Sequence, residues 1–156
     1  MKVLLISNQA MSEGIVGNPI MLRMRDATLS DSRIEEVLML RCKKPFSVFG
    51  ELRKKAKYVD VVHIHFGGTY ALVVRLMLIG IKTPIFITFH GTDIHAKAIK
   101  SARSYKEKFR IKLNQISSFI SIPLFQRCGF VAKEMLDYVP GIIKLFKFRE
   151  LVGTIN

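Results

Sequence analysis

The stretch Val59-Asp60-Val61-Val62-His63-Ile64-His65, followed by the nearly all-apolar Tyr70 to Ile79 and then Pro84-Ile85-Phe86-Ile87-Thr88-Phe89, reads as strand, helix, strand. Both outer runs are short, aliphatic or β-branched, and bounded by turn residues, the pattern of strands buried on two faces. Too many residues separate them for a hairpin, so the connection is a helical crossover and the strands are parallel.

The same alternation continues on both sides. Lys2 to Ser7 opens the chain as a central strand, and a loop with Gly14, Gly17 and Asn18-Pro19 leads into a helix over Ile20 to Leu29, Pro19 fitting its first turn. Ile34 to Leu40 is the second strand, and Val48 to Tyr58 a helix with Leu52 and Ala56 inward and Arg53, Lys54, Lys55 and Lys57 outward. After Phe89 the spacing predicts a long helix over Lys97 to Ile116, with Tyr105, Phe109, Leu113 and Ile116 as its buried stripe. A fifth strand over Ser118 to Ile122, a short helix over Phe130 to Tyr138 and a last strand over Leu145 to Val152 complete the reading. The expected fold is α/β: one Rossmann-like three-layer sandwich with a mostly parallel central sheet.

Composition agrees with one folded domain, since 156 residues with 49% hydrophobic and 24% charged side chains supply a core and a solvated surface. The longest apolar run, Tyr70 to Ile81, is broken by Arg75 and is shorter than the roughly 20 residues of a membrane span. The start lacks the length and cleavage region of a signal peptide, so a cytoplasmic chain is expected. Cys42 and Cys128 have no CxxC spacing and read as reduced packing residues.

The charge is unusual: 25 Lys+Arg against 12 Asp+Glu give +13, a field that attracts anionic partners. Residues 41–57 and 97–112 each carry seven bases against one acid. On helices such segments suit an anionic membrane surface, on the inner face of the membrane. A nucleic-acid partner is not expected, because no helix-turn-helix, zinc finger or RNP-like aromatic pair accompanies the charge.

Ligands of an open α/β sheet bind beyond the carboxyl ends of the strands, so the loops after the first, third and fourth strands are the candidate site. They hold Gly14, Gly17 and Asn18; His65, Gly67 and Thr69; and His90, Gly91, Thr92 and Asp93. Glycines permit close approach to a ligand, and the following helix N-termini offer N–H groups to anions, although such turns also serve plain geometry. His63 lies inside its strand as a core or crevice residue, whereas His65 and His90 end theirs. With His95 they lack a metal-binding spacing, and no metal is expected. Asp93 is either a general base or a cap for the following helix.

The segments Asp60-Val61-Val62-His63-Ile64-His65-Phe66-Gly67 and Thr88-Phe89-His90-Gly91-Thr92-Asp93 resemble the N-terminal domain of retaining GT-B glycosyltransferases of the glycogen-synthase-like, group 1 and family-four type. Phe130 to Leu136 is similar to a later helix of that family. The closing Gly153-Thr154-Ile155-Asn156 departs from its usual N-G-hydrophobic-D. The resemblance implies an acceptor-side half, residues 1–156, of an enzyme that transfers a sugar from a nucleotide sugar to a glycan or lipid-linked acceptor in polysaccharide or glycolipid biosynthesis. It assigns catalysis to His90 and Asp93 and substrate binding to Gly14, Gly17, Asn18, His65, Gly67, Gly91 and Thr92. The donor-clamping glutamate pair of the C-terminal half is missing, so this half alone is expected to be inactive, with no cofactor beyond the donor substrate. Other readings of the residues are a non-catalytic flavodoxin-like binding module and a basic nucleic-acid-binding protein.

Overall fold

The computed structural model of the protein describes residues 1–9, 19–91, 93–94, 102–141 and 151–152. Its centre is a sheet of six parallel strands in the order β2-β1-β3-β4-β5-β6: β1 (Lys2–Ser7), β2 (Glu36–Arg41), β3 (Val61–His65), β4 (Ile85–Phe89), β5 (Arg127–Phe130) and the two-residue β6 (Leu151–Val152). The helices are α1 (Pro19–Leu29), α2 (Phe49–Tyr58), α3 (Thr69–Met77) and α4 (Tyr105–Ser121), with single 3-10 turns at Pro45–Val48, Ile122–Leu124 and Lys133–Tyr138.

Alternation along each strand divides the core in two. Leu4, Ile6, Val62, Ile64, Ile85, Ile87 and Phe89 point to one face, where Leu52 and Ala56 of α2 and Ala71, Val74 and Met77 of α3 cover them. Val3 and Leu5 point to the other, against Met21 of α1 and beside Val37 and Met39. Helices on both faces of a parallel sheet make the Rossmann-like three-layer sandwich that the alternating pattern predicts. Cys42 and Cys128 are free and buried, and burial pushes the Cys42 thiol up to about 11.

The chain beyond β4 departs from the sequence expectation. The predicted fifth strand, Ser118 to Ile122, is the end of α4 and the turn after it, and the fifth strand lies at Arg127–Phe130, where a helix was expected to start. Ser121 Oγ donates to the Ser118 carbonyl at 2.7 Å, which satisfies its buried hydroxyl inside the last turn of the helix. Pro123 then ends the helix. The helix starts at Tyr105, with Ser104 Oγ accepting the Glu107 amide at 3.2 Å and Glu107 Oε2 accepting the Arg103 amide at 2.9 Å. This Ser-x-x-Glu pair is a capping-box signal present in the sequence. Residues 97–101 of the expected longer helix, and 145–150 of the expected last strand, lie outside the described residues.

The expected buried stripe of α4 is corrected as well. Tyr105, Phe109, Leu113 and Ile116 are 86%, 62%, 45% and 45% exposed, while Gln115, Ser117, Ser118 and Ser121 are buried. The reason lies in α3, whose first amides need acceptors. Ser118 Oγ accepts the Gly68 N–H at 2.7 Å, and Asn114 Oδ1 accepts both the N–H and the hydroxyl of Thr69 at 3.3 and 3.1 Å. The polar side of α4 faces inward to cap α3, and its apolar side faces out.

Candidate functional site

The carboxyl ends of β2, β1, β3 and β4 carry a row of polar side chains on the α1 side of the sheet. Ser7 pairs with Arg41 and His65 with Thr88. Leu5 pairs with His63, and the same register continued two residues sets Ser7 beside His65. Ser7, His65 and Thr88 are buried. One row earlier the face is apolar at Met39, Leu5 and Phe86, interrupted by His63. The polar row sits at the junction of β1 and β3, where the chain leaves β1 toward opposite edges of the sheet, the position at which this class of sheet opens a crevice.

Three imidazoles line this edge. His63 Nε2 lies 2.8 Å from Thr88 Oγ1, the His63 and His65 rings are 4.1 Å apart, and His65 Nδ1 lies 3.3 Å from His90 Nε2. The Phe66 ring covers His90 at 4.3 Å. Burial lowers the pKa of all three: His63, also opposed by His90, falls to about 4; His65 falls well below the usual range; and His90 falls with partial compensation from the Asp93 carboxylate. They are neutral at physiological pH, each with one donor and one acceptor nitrogen. Tyr70 donates its hydroxyl to the His65 carbonyl, and burial keeps that phenol protonated.

Asp93 is buried, and its Oδ2 accepts the Gly67 amide at 2.6 Å and the His90 amide at 2.9 Å. Its carboxylate fastens the loop after β3 to the loop after β4. With Ser118 and Asn114 serving the next two amides, the N–H groups of Gly67, Gly68 and Thr69 all have protein acceptors. A Cβ on Gly67 would stand 2.6 Å from both Phe89 Cδ1 and Ser118 Oγ, so packing requires glycine there. Gly91 has open space around it but a φ of +67°, which side chains rarely adopt. Phe66 holds the same φ of 67° without being glycine, a strained backbone at the crevice.

Of the residues expected at the site, His65, Gly67, His90, Gly91 and Asp93 meet at this edge. Gly14, Gly17, Asn18 and Thr92 lie outside the described residues, as does His95. Among the described residues no group of three or more His, Cys, Asp or Glu side chains is arranged to hold a metal ion.

Sequence reasoning missed the most informative feature. Three buried side-chain atoms lack a hydrogen-bond partner among the described residues: Asn8 Oδ1, Arg41 Nε and His65 Nε2. All three belong to residues at the carboxyl ends of the adjacent strands β1, β2 and β3. A buried group left unpaired costs roughly 1–3 kcal/mol, so three at the ends of adjacent strands single out this edge as the candidate site. The signal was Ser7-Asn8 and Arg41, polar residues that abruptly end two apolar strands.

No family model matches the chain, and no curated protein matches it. It is similar to a solved structure described as a "putative diacylglycerol kinase" from Bacillus anthracis str. Sterne, at 18% identity over 70% of this chain and 36% of that one, with a TM-score of 0.43. The expectation of a GT-B glycosyltransferase half, with its hexosyltransferase activity and its place in polysaccharide or glycolipid biosynthesis, is corrected here. The similar structure is described as a kinase and not as a glycosyltransferase, and neither a family model nor a curated relative supports the glycosyltransferase. At that identity and TM-score, the likeness transfers no activity to this chain.

Proposed function

We propose that this chain is a ligand-binding domain whose crevice, across the carboxyl ends of β2, β1 and β3, takes a small molecule with a negatively charged group, of the phosphate-ester or nucleotide class. The observation that carries the reading is that Asn8 Oδ1, Arg41 Nε and His65 Nε2, at the carboxyl ends of three adjacent strands, are buried without a hydrogen-bond partner among the described residues. Arg41 supplies a permanent cation with a donor fork suited to phosphate oxygens. Asn8 Oδ1 accepts from a hydroxyl or amide, and the neutral His65 ring donates or accepts without bringing charge. Asp93 positions the two loops rather than touching the ligand. A net charge of +13 favours encounter with anions.

Isothermal titration calorimetry tests this with inorganic phosphate, nucleoside mono- and diphosphates, sugar phosphates, nucleotide sugars and the corresponding uncharged sugars. A phosphate-bearing compound should bind while its uncharged counterpart does not. Arg41→Gln should weaken binding roughly tenfold to a hundredfold, the range for a hydrogen bond to a charged group. Binding unaffected by Arg41→Gln and His65→Phe, or no binding across the panel, contradicts the proposal.

A second reading is peripheral attachment to an anionic membrane surface, on its cytoplasmic side. It is favoured by the basic segments 41–57 and 97–112. Among the described residues no helix is long and apolar enough to cross a membrane.

A further inference from the structure

Helix α4 is amphipathic with its apolar side turned outward. Tyr105, Phe109, Leu113, Ile116 and Ile120 are all exposed. Their spacing of four, four, three and four residues stacks them along one stripe of the helix surface. At about 100° per residue, Lys108 and Lys112 border that stripe on one side and Lys106 and Arg110 on the other. All four are exposed, and no ion pair involves them among the described residues. The helix's acid, Glu107, lies on the opposite side and is spent on the Arg103 amide. The helix cannot roll to hide the stripe, because Asn114 and Ser118 on its inner side hold the start of α3.

We infer that the outer face of α4 is a docking surface for anionic phospholipid, with the Tyr105-to-Ile120 stripe entering the headgroup and acyl boundary and the flanking lysines and arginine meeting lipid phosphates. An apolar stripe bordered on both sides by cations is complementary to a surface that is anionic outside and apolar beneath. A second copy of this chain fits worse. Apposing two such faces sets four cations against four more with no acid between them. The inference rests on the membrane reading above and names the element that performs it.

Co-sedimentation with vesicles of phosphatidylcholine alone, and of phosphatidylcholine mixed with phosphatidylglycerol, tests it on the full chain. The protein should pellet with the mixed vesicles and much less with the neutral ones. Lys108→Gln with Lys112→Gln should weaken binding to the mixed vesicles roughly thirtyfold, from about 1 kcal/mol per basic residue. Phe109→Ser with Leu113→Ser should abolish retention at both low and high salt. These positions are solvent-exposed, and an unchanged circular dichroism spectrum and melting temperature confirm folding. A wild-type chain that ignores anionic vesicles overturns the membrane reading itself. Vesicle binding that persists in both double variants overturns the assignment to α4 alone. Dimerisation that the Phe109→Ser, Leu113→Ser variant removes, seen by analytical ultracentrifugation, overturns the lipid in favour of a second copy.

Discussion

Asp93 reaches back across the sheet edge to Gly67 and accepts its amide at 2.6 Å through the same oxygen that takes the His90 amide at 2.9 Å. One buried carboxylate oxygen thereby fixes the loops after β3 and β4 relative to each other. Of the residues it fastens, Gly67 lies two positions after His65 and His90 is itself one of the three imidazoles at this edge.

Replacing Asp93 with Ala should leave two part-buried amides without acceptors. With roughly 1.5–3 kcal/mol for each hydrogen bond to a charged group, the two together give an expected loss of about 3–6 kcal/mol. Urea denaturation reads it as a lower midpoint with little change in slope. Asp93→Asn keeps an acceptor oxygen and should cost clearly less. Equal losses in the two variants would mean that the carboxylate does not act through these amides.

The buried histidines make stability depend on pH. Because the folded pKa of His63 is depressed from 6.5 to about 4, the unfolded chain binds more protons between those values, and stability falls as pH drops through that window. His63 alone should contribute a loss of about 2–3 kcal/mol by the lower end. His65, depressed by burial and by both neighbouring imidazoles, adds to the loss. Denaturation curves across this range should steepen in pH dependence for the wild type and flatten for His63→Gln. A wild-type stability that is constant from 6.5 to 4 contradicts the burial of neutral imidazoles.

Two glycines at the site should respond to alanine for different reasons. Gly67→Ala forces a methyl into contact with Phe89 and Ser118, at 2.6 Å from each, and overpacking of this kind costs about 1–3 kcal/mol. Gly91→Ala meets open space and carries only the left-handed backbone penalty, about 1–2 kcal/mol. The distinction is checked by Ser118→Ala, which removes one of the three clashing atoms, the other two belonging to the Phe89 ring. It should soften the effect of Gly67→Ala, beyond its own cost, and leave that of Gly91→Ala unchanged.

The strands up to Phe89 were legible in the sequence because each is a short aliphatic run whose burial on two faces leaves little choice of structure. Leu4-Leu5-Ile6, Val61 to His65 and Ile85 to Phe89 all became strands. Past β4 the local pattern misled. Ser118-Phe119-Ile120-Ser121-Ile122 has strand-like composition, yet it stays helical because Ser118 is needed beneath Gly68. Periodicity correctly found the stripe from Tyr105 to Ile116 but not which way it faces, since that depends on where α3 needs acceptors. At the site, the sequence drew attention to His65, His90 and Asp93. It did not reveal that Asp93 is occupied by backbone amides, nor that Asn8 and Arg41 lie at the carboxyl ends of adjacent strands at the same edge. Those relationships exist only once the strands are set in the order β2-β1-β3.

The most direct test of the crevice is nitrogen-15 NMR of the His65 imidazole during titration with inorganic phosphate and with a nucleoside monophosphate. Ligand in the crevice should move the His65 Nε2 resonance and the Arg41 Nε resonance together, at one saturating concentration, while leaving the side chains of α4 unchanged. If saturating ligand shifts neither nitrogen, or shifts only residues of α4 and the other basic faces, the ligand-binding account of this sheet edge is contradicted.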